Sequence, residues 1–420
     1  MKSYFMQPLR GTKDILPNEI NYWHHIHDKA LTILSLHNYS EIRTPIIEST
    51  SLFKRSIGET SDIINKEMYT FTDQGDRSIT LRPEATASIA RAFISNKLYH
   101  SNIQRLWYLG PMFRYERPQS GRQRQFHQLG IECIGSINPM ADTEVIHLAN
   151  QLLKELQVKN YILEINSIGT LEERQSYKLD LVEYLSQYQQ DLDQDSKNRM
   201  YSNPLRILDS KNLKTQEILD GAPKLKKYLN KRSTEHFYLV CTYLNNLNIT
   251  YKINYKLVRG LDYYNQTAFE IKTNSKNSQN TICGGGRYDT LIEQLGGPKT
   301  PAVGWAIGIE RLLKIIEDKL ILPKQKINVY IATQGLAAQK KIWEIIQALE
   351  KKNIKFELDL SNTSFHKQIK KAGKLGAKFC IILGDQEIMD NCVTIKRLDE
   401  YVQYTAQYSN FLQEIHKLQH

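Results

Sequence analysis

The chain has 420 residues, 41% of them hydrophobic and 24% charged, which is the composition of an ordinary globular protein with two or three domains. Its net charge of +11 predicts an anionic partner, with nucleic acid favoured over a membrane surface. No apolar run approaches the roughly 20 residues that span a bilayer, and no signal-peptide or transit-peptide pattern is visible. We therefore expect the protein to function in the compartment in which it is synthesised. Five scattered cysteines without CxxC spacing indicate no disulfide framework or zinc site and predict a reducing compartment.

The first predicted elements are a helix and an interrupted strand. Pro17 precedes the helix, Asn18 is the predicted N-cap, and apolar residues recur at helical spacing from Ile20 to Leu34. Residues 39–48 have a strand pattern that Pro45 interrupts. Proline in a strand predicts an edge, a bulge or an interface at this point.

A hairpin and a helix start follow. Residues 69–73 and 78–82 predict two strands joined by a turn, and the sequence Arg82-Pro83-Glu84-Ala85-Thr86 then leads into a helix. Pro83 permits a helix start, and Glu84 suits the positive end of a helix. Two interpretations of Glu84 and Thr86 remain open here, a charged first turn and a binding site.

The most informative stretch runs from Phe113 to Glu132. It predicts a strand, a basic turn-rich loop and a returning strand, in which Leu129, Ile131 and Cys133 face one way and Phe126, Gln128 and Glu132 face the other. The first strand and the loop supply further polar side chains, namely Arg114, Glu116, Arg117, Arg122 and Arg124. Arginine grips phosphate oxygens and stacks on π faces, so this set suits a flat base and a phosphate. The alternative is a solvated hairpin with ordinary surface charges.

The middle of the chain is predicted to contain a helical insertion. A helix over residues 140–156 and a strand over 161–165 come first, and residues 170–255 are then rich in Gln, Asn, Lys, Asp and Leu. After them comes the sequence Arg259-Gly260-Leu261-Asp262-Tyr263-Tyr264. The glycines of the run 283–286 allow close approach of the backbone, and residues 304–313 predict a strand that passes into a helix with Arg311 at the junction.

The last hundred residues predict a small α/β domain. Residues 322–326 have a linker pattern, and strands alternate with helices beyond it. From residue 321 to 420 there are 15 Lys and Arg against 10 Asp and Glu, so this part is itself basic. It contains no G-x-G-x-x-G sequence, which leaves dinucleotide binding without support.

Taken together, these motifs resemble the histidyl-tRNA synthetases among the class II aminoacyl-tRNA synthetases. The resemblance covers nearly the whole chain, and its most specific parts are Arg259–Tyr264, Arg114–Glu132, Arg82–Thr86 and Gly304–Arg311. One departure is Ala85, where the family often has glycine. The implied fold class is α+β, an antiparallel-sheet catalytic domain with a helical insertion plus a C-terminal α/β anticodon-binding domain. The implied boundaries are 1–169 and 256–322 for the catalytic domain, 170–255 for the insertion and 327–420 for the anticodon-binding domain.

The resemblance also implies roles for individual residues. Arg114 would hold the α-phosphate of ATP from one side and Arg259 from the other, and Arg311 would clamp the ATP. The adenine and triphosphate site would be lined by Glu116, Arg122 and Phe126. The histidine site would comprise Glu84, Ala85, Thr86, Arg114, Gln128, Glu132, Arg259, Tyr263, Tyr264 and Tyr288. Within this set the amino group would go to Glu84, Thr86 and Gln128, and the imidazole nitrogens to Glu132 and Tyr264. Gln119 and Arg124 would meet the acceptor end of the tRNA.

The implied activity is that of a histidine–tRNA ligase, which converts L-histidine and ATP to histidyl-adenylate and then charges tRNA(His). Mg²⁺ would bind through the ATP phosphates, with no metal site on the protein itself. The implied partners are tRNA(His) and a second copy of the chain, near Pro45, with no membrane. The expected location is the cytoplasm, or alternatively an organelle stroma such as that of a chloroplast.

Three other interpretations of the sequence compete with this one. The first is the synthetase-like regulatory subunit of an ATP phosphoribosyltransferase, which lacks the C-terminal domain and parts of the arginine and tyrosine set. The second is a class II synthetase for another amino acid, against which Glu132 and the stretch Arg259–Tyr264 argue. The third is a plain RNA-binding protein, which leaves the catalytic constellation unexplained.

Overall fold

The computed structural model describes residues 6–58, 61, 63–101, 103–119, 121–273, 280–317, 320, 322, 327–400 and 402–419. Two compact units, Met1–Ile321 and Leu322–His420, make up the chain. Ser120, one of the predicted turn residues, and residues 323–326 of the predicted linker lie outside the described residues. Within the described ranges, no helix is both long and apolar enough to cross a membrane.

Two sheets carry the first unit. Its strands are β1 (Ser40–Glu41), β2 (Ile47–Ser49), β3 (Tyr69–Thr72), β4 (Ser78–Leu81), β5 (Gln104–Phe113), β6 (Gln125–Ile134), β7 (Tyr161–Ser167), β8 (Tyr251–Ile253), β9 (Asn265–Thr273), β10 (Thr281–Arg287) and β11 (Ala302–Gly308). The large sheet has the order β1-β5-β6-β11-β10-β9-β7-β8, and the small sheet has the order β2-β4-β3. Only the two outermost pairs of the large sheet are parallel. The expected antiparallel sheet of an α+β fold is therefore confirmed.

Helices pack against both sheets. They are α1 (Pro17–Leu36), α2 (Thr50–Ile57), α3 (Thr86–Ser95), α4 (Pro139–Glu155), α5 (Leu171–Ser186), α6 (Gln194–Ser202), α7 (Leu213–Asp220), α8 (Lys231–Asn246), α9 (Leu291–Gln294) and α10 (Ile309–Ile316). The predicted cap of α1 was wrong, because the helix begins at Pro17 and its N-cap position is Leu16. Proline suits the first helical position, since its missing N–H would be unpaired there anyway, and this places Asn18 inside the helix.

The interruption predicted at Pro45 is confirmed. The strand pattern of residues 39–48 divides into β1, which pairs with β5, and β2, which pairs with β4 in the other sheet. Pro45 lies between them. The chain therefore changes sheets at the residue that cannot donate a ladder hydrogen bond.

The alternation predicted for β6 is also confirmed. Leu129, Ile131 and Cys133 are buried in the core together with side chains of α1, α4 and α10. Residues of the opposite parity face away from this core, and Phe126 and Gln128 line a cleft on that side. One face of the β5–β6 hairpin thus packs against the helices, and the opposite face is available for a ligand.

The region between residues 170 and 255 contributes to two cores. Helices α5 to α7 pack with a cluster that includes Tyr177 and Leu181. Helix α8 instead packs through Val240 and Leu244 into the core of the large sheet. Strand β8 pairs with β7 at the edge of that sheet. The domain boundaries given above remain predictions.

The second unit is a five-stranded α/β domain. Its elements are β12 (Val329–Thr333), α11 (Leu336–Lys351), β13 (Phe356–Leu358), α12 (Phe365–Lys374), β14 (Phe379–Leu383), α13 (Asp385–Met389), β15 (Cys392–Arg397), β16 (Val402–Gln407) and α14 (Tyr408–Glu414). The order is β13-β12-β14-β15-β16, in which the first three strands are parallel. Strand β16 was not predicted, although Val402, Tyr404 and Ala406 alternate with polar residues in its sequence; five of its six side chains are exposed.

A buried ion pair joins three elements behind the large sheet. The carboxylate of Asp142 on α4 lies 2.5 Å from the guanidinium of Arg287 on β10, and both side chains are almost fully buried. His236 of α8 approaches the same carboxylate at 3.3 Å. Burial opposes the charge of Asp142, but Arg287 and His236 outweigh it and hold the pKa of this carboxyl well below its usual range.

We expect Asp142→Ala to lower the free energy of unfolding by about 3–5 kcal/mol, because it leaves the Arg287 guanidinium buried and unpaired. Lys29→Ala is the matched control, since its pair with Glu155 is partly exposed and should be worth less than about 1 kcal/mol. Urea denaturation of the three proteins at neutral pH measures both values. Because the pKa of Asp142 is depressed, the wild type should lose this stability as the pH falls below about 4. Equal losses in the two variants would contradict the importance of the buried pair.

Candidate active site

A cleft of about 280 Å³ opens on the face of the large sheet that is turned away from α4. Eleven of the residues singled out from the sequence line it, namely Glu84, Thr86, Arg114, Glu116, Arg122, Phe126, Gln128, Arg259, Tyr263, Tyr264 and Arg311. They come from both halves of the first unit. Arg114 and Arg259, which are far apart in sequence, thus face one common cleft.

The side chain of Arg114 is held in place at one wall. Its Nε donates a hydrogen bond to the carbonyl oxygen of Pro83 at 2.9 Å, and its guanidinium lies 5.2 Å from the centre of the Phe126 ring. Glu116 lies close by and pairs with Arg122 at 3.2 Å. A flat cation beside an aromatic ring and a carboxylate forms a surface on which a purine and its phosphates can rest.

Arg259 is held at the opposite wall. Its Nη1 lies 2.5 Å from the carboxylate of Glu270 on β9, and its guanidinium is 5.4 Å from the centre of the Tyr264 ring. Burial alone would lower the pKa of Arg259, but Glu270 outweighs it and raises the pKa. Gly284 on β10 leaves room for the guanidinium, since a Cβ at this position would overlap it. The charge of Arg259 is therefore permanent and fixed in position.

Arg311 enters the cleft from the start of α10. It donates a hydrogen bond to the carbonyl oxygen of Thr281. Burial and the nearby Arg122 lower the pKa of Arg311, because neither favours another positive charge. The preceding Glu310 holds the adjacent strand, since its carboxylate accepts hydrogen bonds from the backbone N–H of His127 at 2.9 Å. An incoming polyanion would relieve the crowding of positive charge at this end of the cleft.

Two carboxylates lie at the inner end. Glu84 accepts hydrogen bonds from the backbone N–H groups of Thr86 at 2.7 Å and Ala87 at 2.8 Å, so it does cap the first turn of α3, and it lines the cleft as well. Glu132 lies directly behind, where its carboxylate oxygens accept from the hydroxyl of Thr86 at 2.7 Å and from the phenol of Tyr288. Burial raises the pKa of Glu132 to about 8. This carboxyl therefore holds a proton at neutral pH while the cleft is empty.

Three tyrosines pack around this end. The ring centres of Tyr263 and Tyr264 are 4.7 Å apart, and the Tyr288 ring meets them edge-on at 5.7 Å and 6.4 Å. Burial raises the pKa of Tyr264 to about 12. Its phenol therefore stays protonated and can donate or accept a hydrogen bond.

Several buried oxygens in the cleft have no hydrogen-bond partner within the described part of the chain, among them the phenol oxygens of Tyr108 and Tyr263 and Oε1 of Gln128. Leaving such groups unpaired is unfavourable, so their presence in a cleft indicates a polar ligand. The sequence analysis did not identify Tyr108. Only the pairing of β5 with β6 identifies Tyr108. Gly130 lies opposite it, and a Cβ on Gly130 would overlap the phenol of Tyr108.

Five of the residues assigned from the sequence lie outside the cleft lining. Glu132, Tyr288 and Ala85 are buried behind it, and Ala85 has a φ of −103°, which alanine adopts without strain. Gln119 and Arg124 lie on the loop between β5 and β6, where the Arg124 guanidinium rests 3.8 Å from the centre of the Tyr115 ring. Their backbone N–H groups are bonded to Arg122 and Gly11. Their roles remain predictions.

Comparison with known proteins gives consistent results over both units. The family model for histidyl-tRNA synthetase matches residues 11–312, and a model for an anticodon binding domain matches residues 328–418. The chloroplastic histidine–tRNA ligase of Pyropia yezoensis is 57% identical over 94% of this chain and 92% of its own length. The histidine–tRNA ligase of Acaryochloris marina is 53% identical with the same coverage. The crystal structure of apo histidyl-tRNA synthetase from S. aureus has 36% identity and a TM-score of 0.81, and the match covers 98% of this chain and 99% of that one.

We expect Glu132→Gln to change how the stability of the unliganded protein depends on pH. The pKa of Glu132 is about 8 in the folded state against about 4.5 for the free side chain, so the folded protein holds the extra proton between these values. Wild-type stability should therefore fall, relative to the variant, as the pH rises from 5 to 8, by up to about 1.4 kcal/mol per pH unit. Chemical denaturation of both proteins across this range measures the difference. A difference that is constant with pH would show that Glu132 is charged throughout.

Proposed function

Since the chain belongs to the histidyl-tRNA synthetase family, we propose that its cleft activates L-histidine with ATP and that the histidyl group is then transferred to tRNA(His). The protein is accordingly a histidine–tRNA ligase, an enzyme of the aminoacyl-tRNA ligase class. The observation that carries the proposed chemistry is the convergence of Arg114 and Arg259 on one cleft beside the inner carboxylates.

The two arginines would supply the fixed positive charge that stabilises the transition state of adenylation. The carboxylate of histidine attacks the α-phosphorus of ATP, which gives histidyl-adenylate and pyrophosphate. Negative charge spreads over the α-phosphate oxygens in the transition state, so catalysis depends on positioning and on fixed positive charge. Arg114 and Arg259 both line the cleft and would stabilise this charge from two sides.

The outer part of the cleft suits the rest of the nucleotide. Phe126 and Glu116 would receive the adenine, with Arg122 beside them. Arg311 would clamp the ATP; burial and then the nearby Arg122 lower the pKa of Arg311, and bound phosphates would offset both effects. The proposed arrangement uses the carboxylate of Glu116 to keep the two neighbouring guanidiniums in position, at 3.2 Å from Arg122 and 3.9 Å from Arg114.

The inner part suits histidine. The amino group would bind Glu84, Thr86 and Gln128, whose Oε1 lacks a partner in the described structure. Tyr264 would pair with one imidazole nitrogen and Glu132 with the other, because a carboxylate can accept more bonds than the two it already receives. Tyr263 and Tyr288 would enclose the ring. A site that pairs both ring nitrogens rejects amino acids without them by roughly 10⁴-fold or more, since its buried groups would stay unpaired.

Mg²⁺ is proposed to arrive with the ATP phosphates, whose charge it neutralises. Nowhere in the described residues do three or more His, Cys, Asp or Glu side chains form a group that could hold a metal ion. Glu116 is the lining carboxylate nearest to the arginine cluster and would be the protein group in reach of the ion. The residues present thus fit an ion that the substrate carries better than one that the protein holds.

The second unit is proposed to bind the anticodon of the tRNA, in accord with its basic composition and with the family model that matches it. Gln119 and Arg124 would meet the acceptor end. A second copy of the chain is proposed to cover the small sheet, where Ile46, Ile47 and Phe71 are exposed. The relatives include chloroplastic and cyanobacterial enzymes, so we propose a chloroplast stroma or a bacterial cytoplasm as the place of action.

The competing interpretations are less well supported. A regulatory subunit without an anticodon unit does not account for the match over residues 328–418, nor for the complete set of arginines and tyrosines around the cleft. A plain RNA-binding protein does not account for the cleft. A synthetase for another amino acid would have no use for a buried Glu132 beside Tyr264.

We expect the protein to exchange label between pyrophosphate and ATP in the presence of histidine and with none of the other nineteen amino acids. Adenylate formation is reversible, so exchange reports the first step alone and requires no tRNA. The measurement is isotope exchange with each amino acid in turn. Exchange without an amino acid, or with a different one, would contradict the assignment.

We expect Arg259→Ala to lower the rate of this exchange by about 10²–10³-fold, because one of the two cations around the α-phosphate is lost. Arg105→Ala is the matched control, since Arg105 pairs with Glu144 outside the cleft at 3.2 Å. This control should retain exchange within about twofold. Circular dichroism and thermal unfolding verify that both variants fold. Normal exchange in a folded Arg259→Ala variant would remove the proposed clamp.

A further inference from the structure

A second cavity of about 630 Å³ lies on the α8 side of the large sheet. Helix α8, the edge strand β8 and the end of β7 form its walls, and it shares no lining residue with the catalytic cleft. Its volume is within the range of about 300–1,000 Å³ that is typical of small-molecule sites. Nothing in the adenylation chemistry proposed above makes use of it.

The walls of this cavity are aromatic. Phe237 and Tyr238 come from α8, Tyr251 from β8 and Tyr255 from the turn that follows. Phe237, Tyr251 and Tyr255 are half-buried, whereas Tyr238 is exposed. Aromatic faces bind flat ring systems by stacking, in a way that tolerates different rings. The cavity therefore offers stacking surfaces of the kind that receive an unstacked base.

The inner end of the cavity contains hydroxyl groups without hydrogen-bond partners among the described residues. Ser167 lines it, is only 3% exposed, and its Oγ has no hydrogen-bond partner among the described residues. Thr267, which pairs with Ser167 across the strands, is likewise buried with an unpartnered hydroxyl. Buried hydroxyls normally find partners, so an unpaired one at the end of an open cavity indicates a ligand that reaches it.

The mouth of the cavity carries a positive charge. Lys226 lines it, and its Nζ lies 5.7 Å from the centre of the Tyr255 ring. Within the described ranges no carboxylate lies within ion-pairing distance of Lys226, whereas the nearby Lys256 is paired with Asp220 at 2.6 Å. An unpaired ammonium group next to an aromatic ring favours an anion that is attached to a flat group.

We propose that this cavity binds a nucleotide, with its base among the aromatic side chains and near the Ser167 hydroxyl, and with its phosphate near Lys226. The shared chemistry is a planar heteroaromatic ring that carries an anion. Its source is either a free nucleotide or an unstacked unit of RNA. A purely apolar ligand would leave the Ser167 hydroxyl unpaired, and a flat protein partner would not reach it.

Cys241 allows a direct test, because it lines the cavity and is the one cysteine of the five that is not fully buried. Burial raises the pKa of its thiol, so alkylation with iodoacetamide should be followed near pH 9 by mass spectrometry of the Cys241 peptide. The probes are CMP, UMP and a single-stranded oligouridylate, none of which is a substrate or product of adenylation. Saturating probe should slow alkylation about tenfold. The test involves neither histidine nor ATP, so its outcome is independent of the proposed catalytic function.

Two variants test the assigned contacts. Ser167→Ala should weaken protection about tenfold without loss of thermal stability, since it removes an unpaired hydroxyl. Lys226→Ala should weaken protection and reduce its dependence on salt, while Lys227→Ala serves as the matched control. Protection by mononucleotides identifies a free nucleotide as the source, and protection by the oligonucleotide alone identifies RNA. No protection by any probe, or equal protection in the wild type and both variants, would overturn the proposal.

Discussion

The antiparallel pairing of β6 with β11 is the constraint on which the active site depends. It joins two segments that are far apart in sequence, with Glu132 opposite Gly304 and Gln128 opposite Gly308. Position 304 requires glycine, because a Cβ there would overlap the carboxylate of Glu132. A shift of one residue would turn every side chain of β6 to the other face, and the cleft would then be lined by core residues. Register thus determines both the stability of the sheet and the chemistry of the cleft.

The charges around the cleft follow from this arrangement. Arg259 has a carboxylate partner in Glu270, which also pairs with Lys272, so the charge of Arg259 is stable although it is buried. Glu132 has no cation within ion-pairing distance in the described structure and holds a proton near neutral pH instead. Burial, and after it the neighbouring Arg122, lowers the pKa of Arg311. The empty cleft therefore has positive charge around Arg114, Arg259 and Arg311 and a protonated Glu132 behind its inner end. This distribution suits a polyanionic nucleotide beside a small polar side chain.

Local sequence patterns were sufficient for some features of this site and insufficient for others. The alternation along β6 predicted which of its side chains face the core and which face the cleft, because a strand has a period of two residues. Pro45 predicted the interruption of the strand, although not that the chain changes sheets there. In contrast, Glu270 and Gly284 contribute through Arg259, which lies in a loop, and Tyr108 through Gly130 on the neighbouring strand, and a pattern within one segment does not report such contacts. Strand β16 does have the alternation of a strand, with Val402, Tyr404 and Ala406 separated by polar residues, so here the local pattern was present and was missed.

Thr86 links the two parts of the proposed histidine site. Its backbone N–H donates to Glu84, which lines the cleft, and its hydroxyl donates to Glu132, which lies behind it. The group proposed to bind the amino end of the substrate and the group proposed to sense the imidazole are therefore held by one residue at the start of α3. Any rotation of the first turn of α3 moves both carboxylates together. In the proposed arrangement, the first turn of α3 would set the spacing between the amino group and the ring of the substrate.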